Sequence, residues 1–326
     1  MNRITSIRVL AAGLALVGVS VLTDAQAQIV SVTPYTPIFQ GISEATATIQ
    51  ASAGTAYAYV MQINLDAPGI SFTTTPLTAG GSAGGSVETK SQTTAQFLQS
   101  TGAQVAINAN TFNNCCSTTA PANETLNGLA ISNGQLVSPD VAGTADLLLS
   151  GNNQASLVAG GTANLSGVTN AIAGFGYVVQ NGKNVASSAS GANTASDPRM
   201  LVGLSQNGQY LDLVAIDSGS SDGNGVTGSE EANVMIDLGL YNAINLDGGG
   251  STSMVVEGAN GKPDVLENPF TGAERYDGNN LGVYARPLAP VPLPPSVVLF
   301  GSALLGLMAV GRRQLLVSSS WPDLVA

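Results

Sequence analysis

The chain has 326 residues, 44% of them apolar and only 10% charged, a composition that sustains a full hydrophobic core and excludes intrinsic disorder. Between residues 28 and 290 nineteen acidic side chains stand against six basic ones, a formal charge of −13. Such a surface repels a nucleic-acid backbone, so no nucleic-acid partner is expected; a single phosphodiester, which one arginine and a few backbone N–H groups can hold, is not excluded.

Residues 1–27 carry Arg3 and Arg8, an apolar run from Val9 to Leu22 and the small-residue pattern Ala25-Gln26-Ala27. That is the layout of a secretory signal peptide cleaved near Gln28, and it sends the mature chain out of the cytoplasm. Next, "EATATIQASAGTAYAYVMQINL", residues 44–65, alternates small or polar positions with Ile49, Tyr57, Tyr59 and Met61. This predicts one or two strands, with "ISFTTTP" as another short one. "LTAGGSAGGSVETK" is too glycine-rich for an element and reads as a surface loop. From Lys90 the period changes: Ala95, Phe97 and Leu98 fall on or near one helical face that stops at Gly102. "AQVAINANTF" follows as a strand whose tip carries Asn108 and Asn110, each either a turn cap or an amide that positions a ligand.

Cys115 and Cys116 are the only cysteines, and the chain has no histidine. A Cys/His zinc site and a Ser-His-Asp triad are therefore excluded. A vicinal disulfide, pairing with other chains and free thiols all stay open. Asn-Gly steps between apolar runs recur at 133–134, 181–182 and 207–208, and three such hairpins argue for extensive antiparallel sheet. The expected class is α+β, a single domain at 28–290 rich in antiparallel sheet with a few packed helices.

A polar loop containing Asp217, Asp222 and Asn224 lacks the spacing of a calcium-binding helix–loop–helix, so the metal stays unassigned, and no cofactor is called for. Thr227 and Glu230 have capping-box spacing ahead of a helix with Ala232, Met235, Ile236 and Leu238, closed by Gly239. The helix feeds "AINLDGGGSTSMVV", a strand that ends on a lone carboxylate, Asp247. Gly248, Gly249 and Gly250 permit positive φ and close approach of a ligand, while Asn245, Ser251 and Thr252 add polar groups. A turn alone would use the same glycines; the flanking hydroxyls and amide tilt the reading toward a site.

Together, "AINANTF", "DPRMLVGLSQNG", "GVTGSEEANVMIDLG…AINLDGGGSTSMVVEG" and "ERYDGNNLGVYA" resemble the blocks of the phosphodiester glycosidase family, in order, over residues 45–286. The resemblance implies hydrolysis of a sugar-1-phosphodiester in a surface or extracellular glycan, with a phosphorylated saccharide as partner. It implies Asp247 as general base or nucleophile, Glu230 as second carboxylate and Arg199 as phosphate clamp. Asn108, Asn110, Asn245, Gly248, Gly249, Gly250, Ser251, Thr252 and Arg275 would bind substrate. The chain departs from the family pattern in having Ala109 and Asn110 where glycines are usual, and Asp197 ahead of Pro198-Arg199 where histidine is frequent. The second departure opens an alternative, a catalytically silent glycan-binding or matrix protein that keeps the pocket.

The C-terminal stretch 291–313 pairs Pro-Leu-Pro with sixteen uncharged residues, Ser296 to Gly311, and then Arg312-Arg313; residues 314–326 extend beyond it. It resembles the PEP-CTERM sorting tail, with its short transmembrane helix and basic cluster. The resemblance implies an exosortase-like processing enzyme as partner, an inner-membrane intermediate, and a final place on the surface or in the extracellular matrix of a Gram-negative bacterium.

Overall fold

The computed structural model describes residues 27–186, 195–217, 225–267 and 273–289. The expected signal peptide up to residue 26, the sorting tail from 290 onward, and Asp222 and Asn224 lie outside them. Among the described residues no helix is long and apolar enough to cross a membrane.

The alternating segment 44–65 becomes two long strands, Ile42–Ala51 and Gly54–Asn64, paired from Ile42↔Ile63 to Ala51↔Gly54. They anchor a nine-stranded sheet that continues through Tyr210–Asp217, Arg199–Leu204, Asn242–Asn245 and Gly176–Gln180. In a five-stranded sheet Val105–Asn108 is central, between Met254–Glu257 and Asn280–Tyr284. Another five-stranded sheet holds Ala130–Ser132, Ala145–Ser150 and Val168–Gly174. One core cluster draws from all three: Met61, Val202 and Ile244, then Ile107, Met254 and Leu281, then Leu147 and Ile172, all fully buried. Each such side chain contributes about 1.5–3 kcal/mol of burial free energy, so the sheets are fixed against one another by a shared interior.

Two helices among the described residues cover the outer faces. Helix α1, Thr94–Thr101, is held by a Thr93/Gln96 capping box and stops at Gly102, where φ is 73°. Its Phe97 and Leu98 pack on Ala106 and Val255. Helix α2, Gly228–Asp237, has the expected Thr227/Glu230 box and lays Ala232, Val234 and Met235 on the face of the large sheet that carries Val60, Val214 and Ile216. The Asn133-Gly134 and Asn181-Gly182 turns have positive φ at both residues, as two-residue hairpins with the twist of their strands require. At 207–208 only Gly208 does, with φ 70°. The expected class holds: a domain rich in antiparallel sheet with a few helices.

Candidate functional site

Strand Asn242–Asn245 ends two residues before Asp247, and the following turn, residues 247–253, is fastened to two neighbouring strands. Asn108, completely buried at the end of its strand, holds both sides of that turn. Its Nδ2 donates to the Asp247 carbonyl at 2.7 Å, and its Oδ1 accepts from the Ser253 N–H at 3.0 Å. The Asp247 N–H donates to Ala109 O at 3.0 Å and the Gly249 N–H to Pro198 O at 2.9 Å. The segment "AINAN" is thus the floor on which the aspartate loop stands. Asn110 braces that floor from below: it donates to the Asn127 and Leu129 carbonyls and accepts from the Ala173 N–H and the Asn279 side chain.

The glycine run has a steric cause. Gly249 takes a φ of 59°. A methyl group on Gly250 would lie 2.7 Å from Arg275 Nε, and one on Gly248 would lie 3.0 Å from Pro198 O and 3.9 Å from the Arg199 chain. Two arginines therefore bracket the loop, Arg199 beneath Gly248 and Arg275 against Gly250; a Cβ at 250 would displace the Arg275 guanidinium, and at 249 the positive φ disfavours any side chain. The run's backbone N–H groups turn largely inward: that of Gly248 reaches the Asp247 carboxylate, that of Gly249 Pro198, and those of Ser251 and Thr252 the preceding carbonyls.

The arginines differ in their partners. Arg199 is buried, with Nε on Val226 O at 3.0 Å and Nη2 on Ala195 O at 2.9 Å. Nε also faces Glu231 Oε2 at 3.3 Å, and Nη2 faces Asp197 at 3.8 Å. Glu231, fully buried, accepts from Asn245 Nδ2 at 2.9 Å; burial pushes its carboxyl up, while Arg199 and Asn245 pull the other way. Arg275 is half-buried, and its Nη1 meets only Cys115 Sγ, at 3.9 Å. Its Nε is buried without a hydrogen-bond partner, and among the described residues no carboxylate lies within ion-pair distance of it. Cys115 and Cys116, both exposed, are joined to each other.

The structure brings Asp247, Ser251, Arg275 and Asp277 together and sets Glu230 apart. Glu230 accepts from the Thr227 N–H at 2.8 Å on one oxygen and the Ser52 N–H at 2.6 Å on the other. Burial alone would raise its carboxyl, but these donors outweigh it and hold the group below its usual range. Asp247 is half-buried, and its surroundings push its carboxyl up to about 6: burial raises it, while the Ser251 hydroxyl, Arg275 and the Gly248 N–H resist. Two neighbours lie in the "ERYDGNN" stretch, where the sequence assigned Glu274 at most a solvated pair with Arg275 and Asp277 no role. Glu274 accepts from Ser253 Oγ at 2.8 Å and from the Ala95 N–H in the first turn of α1 at 3.2 Å. Asp277 is 1% exposed. Asp277 lies inside the "ERYDGNNLGVYA" block but no pattern there sets it apart as a site residue, whereas Glu231 had a visible signal: it stands four residues before Met235 on the apolar stripe of α2.

The set is one half-buried carboxylate, a half-buried arginine without an ion pair among the described residues, and the Ser251 and Thr252 hydroxyls on the same loop. That set suits an anionic substrate with a bond to be attacked. Among the described residues no group of three or more acidic or cysteine side chains is arranged to hold a metal ion.

The sequence profile described as phosphodiester glycosidase matches residues 94–284. Among solved structures, the catalytic domain of zebrafish N-acetylglucosamine-1-phosphodiester alpha-N-acetylglucosaminidase, auto-inhibited by its pro-peptide, aligns with a TM-score of 0.54 and 19% identity over 80% of this chain and 88% of that one. A hypothetical protein from Synechocystis aligns with a TM-score of 0.53 and 18% identity, over 78% of this chain and 64% of its own length. The chain thus spans less than two thirds of that relative. No curated protein matches in sequence. At these identities the structural likenesses establish the fold alone.

Proposed function

We propose that this chain, which belongs to the phosphodiester glycosidase family, hydrolyses a sugar-1-phosphodiester of a surface or extracellular glycan, releasing the sugar and a phosphate monoester. The observation that carries this reading is the Asp247 carboxylate, raised to about 6 and followed by a glycine run against which Arg275 packs. A base with that proton affinity is mostly ionised at neutral pH and still takes a proton from water. Arg275 holds the phosphate oxygens, since its half-buried guanidinium makes no ion pair among the described residues. Arg199, tied to Glu231 and two carbonyls, anchors the loop from beneath, and Glu230 fixes the end of α2. Asn108 and Asn245 set the register of Asp247.

In the reaction the C1–O bond breaks with its electron pair on the phosphate oxygen. Water oxygen bonds to C1, and a water proton passes to Asp247. The departing monoester is a good leaving group, which lowers the demand for a separate acid.

The test is release of reducing sugar and phosphate monoester from an N-acetylglucosamine-1-phosphodiester by the purified protein. Asp247→Asn should slow the chemical step by about 10²–10⁴-fold, the scale of a lost acid–base group. A normal rate in that variant, with binding intact, would remove Asp247 from the chemistry. The absence of histidine favours one other reading, a glycan-binding protein without turnover; binding of the phosphodiester with no product from any of several sugars would establish it. Export, passage through the inner membrane and exosortase processing complete the proposal, supported by the residue patterns at the two termini. An intact C-terminus in cells with and without the processing enzyme would defeat the last of these.

A further inference from the structure

The joined pair Cys115–Cys116 adds little to the stability of the fold. Stabilisation by a disulfide grows with the length of chain it closes, and between adjacent residues that length is the shortest there is. Its place in the molecule is more informative. The segment leaves the floor at Asn110 and buries Phe112 against Leu126. It is then tied to residues 123–125, with the Asn113 N–H on Thr125 O at 2.9 Å and Asn114 Nδ2 on Asn123 O at 3.3 Å. From the C-terminal segment, the Tyr276 N–H donates to Ser117 O at 2.9 Å, and a Cβ on Gly278 would lie 2.6 Å from that of Phe112. The chain carrying the two sulfurs therefore runs beside the chain carrying Arg275. There Arg275 Nη1 meets Cys115 Sγ at 3.9 Å, while the rest of the guanidinium fills the space a Cβ on Gly250 would take. A sulfur and a glycine thus hold the group, and no carboxylate pairs with it among the described residues.

We infer that Cys115–Cys116 is a positioning pair for Arg275, and that its redox state decides whether the guanidinium is open to an anion. The inference rests on the hydrolase reading for the ligand it controls, but not for the contact itself. A bridged sulfur is uncharged and a weak acceptor, so in the oxidised chain it touches Arg275 without taking up its charge. Reduction changes that. A dithiol attacks Cys116 Sγ through its thiolate, and the sulfur–sulfur bond breaks with its electron pair on Cys115 Sγ, since a sulfur that departs as an anion beside a guanidinium is the better leaving group. The reductant's second thiol then displaces Cys116. Two electrons and one proton have passed to the pair, the other proton has gone to solvent, and the reductant is left as its own disulfide. Cys115 now faces Arg275 as a thiolate, an ion pair in the position a phosphate oxygen needs. Both cysteines are exposed, so a reductant reaches them. The device suits the export proposed above: the bridge persists only in an oxidising compartment, and the anion site opens there while staying occupied in the cytoplasm.

Three forms of the full-length chain test this: wild type, Cys116→Ser, which leaves Cys115 as the one thiol, and Cys115→Ser. Calorimetry follows binding of an N-acetylglucosamine-1-phosphodiester and of the neutral sugar, with and without dithiothreitol. Dithiothreitol should weaken phosphodiester binding by the wild type about tenfold, the scale of one lost charge-assisted hydrogen bond, and leave the neutral sugar unaffected. Cys116→Ser should bind as weakly as the reduced wild type whether or not dithiothreitol is present, and Cys115→Ser as tightly as the oxidised form. Equal binding by oxidised and reduced wild type overturns the inference, as does a loss in Cys115→Ser that matches the loss in Cys116→Ser. A second measurement needs no substrate: the rate of alkylation of Cys115 by iodoacetamide against pH, in Cys116→Ser with and without Arg275→Gln. Arg275 should shift the rise of that curve to a pH about one unit lower, the effect of a neighbouring cation on a thiol; superimposed curves remove the thiolate pair. If the curves separate and neither redox form binds the phosphodiester, the contact stands and the hydrolase reading falls; phosphodiester hydrolysis that dithiothreitol does not alter gives the reverse.

Discussion

At the scale of single residues, two arginines that flank one loop are asked to do different work, and one kind of substitution separates them. Lysine keeps the charge but loses the planar fork. Arg275→Lys should weaken binding of a sugar phosphodiester about tenfold, the equivalent of 1.4 kcal/mol, while leaving the neutral sugar unaffected; calorimetry with both ligands reads the difference. Arg199→Lys should instead lower stability, by about 3–5 kcal/mol if the Glu231 pair is broken outright, and weaken both ligands alike. Equal effects of Arg275→Lys on the two ligands would reassign it to the fold. Asp247 was legible because a carboxylate, three glycines and two hydroxyls sit in one short run. Glu231 was half legible, as a charge on an apolar stripe. Asp277 was not, because it joins Asp247 only when residues thirty apart in sequence are folded over the same strand, and no local pattern encodes that meeting.

Elements were easier to read, since caps and turns are written in consecutive residues. The Thr227/Glu230 spacing located the start of α2 at the right residue. The Thr93/Gln96 box at α1 has the same form with glutamine in place of glutamate; the expected helix there rested on Ala95, Phe97, Leu98 and the stop at Gly102. The cap also bears on chemistry. Glu230→Ala leaves the Ser52 and Thr227 N–H groups without their acceptor and should cost about 1–3 kcal/mol in urea unfolding. The rate on a phosphodiester should fall less than about tenfold, well short of the loss expected at an acid–base residue. A fall as deep as that of Asp247→Asn, at unchanged stability, would bring Glu230 back into the reaction.

For the whole molecule, the acidic composition shows itself in where the carboxyls are kept. Asp146 and Asp212 are both buried, and burial first of all pushes each up to about 7; the Gln62 side chain only partly offsets this at Asp212, and neighbouring Asp140 adds to it at Asp146. Unfolded, they titrate near 3.9. Between about pH 4 and 7 the folded state thus binds more protons than the unfolded one, and stability falls as pH rises through that window. Glu230, held low, works in the opposite sense but is a single group. Tm should be higher at pH 5 than at pH 8 by something on the order of 10 °C, given about 2–4 °C per kcal/mol for a chain of this class. Calorimetry showing the higher Tm at pH 8 would contradict this accounting.

The central strand Val105–Asn108 is paired on one side by Met254–Glu257 and on the other by Asn280–Tyr284. Asn108, which holds the Asp247 loop, thus lies beside Asn280–Tyr284, the strand that directly follows the segment carrying Arg275 and Asp277. Contacts spanning so much of the chain are slow to find and cannot nucleate during synthesis from the N-terminus. A nascent chain stopped before residue 274 has the floor and the loop but neither Arg275 nor Asp277 to face them. The site therefore gathers late, once Asn280–Tyr284, the last strand among the described residues, pairs with Val105–Asn108.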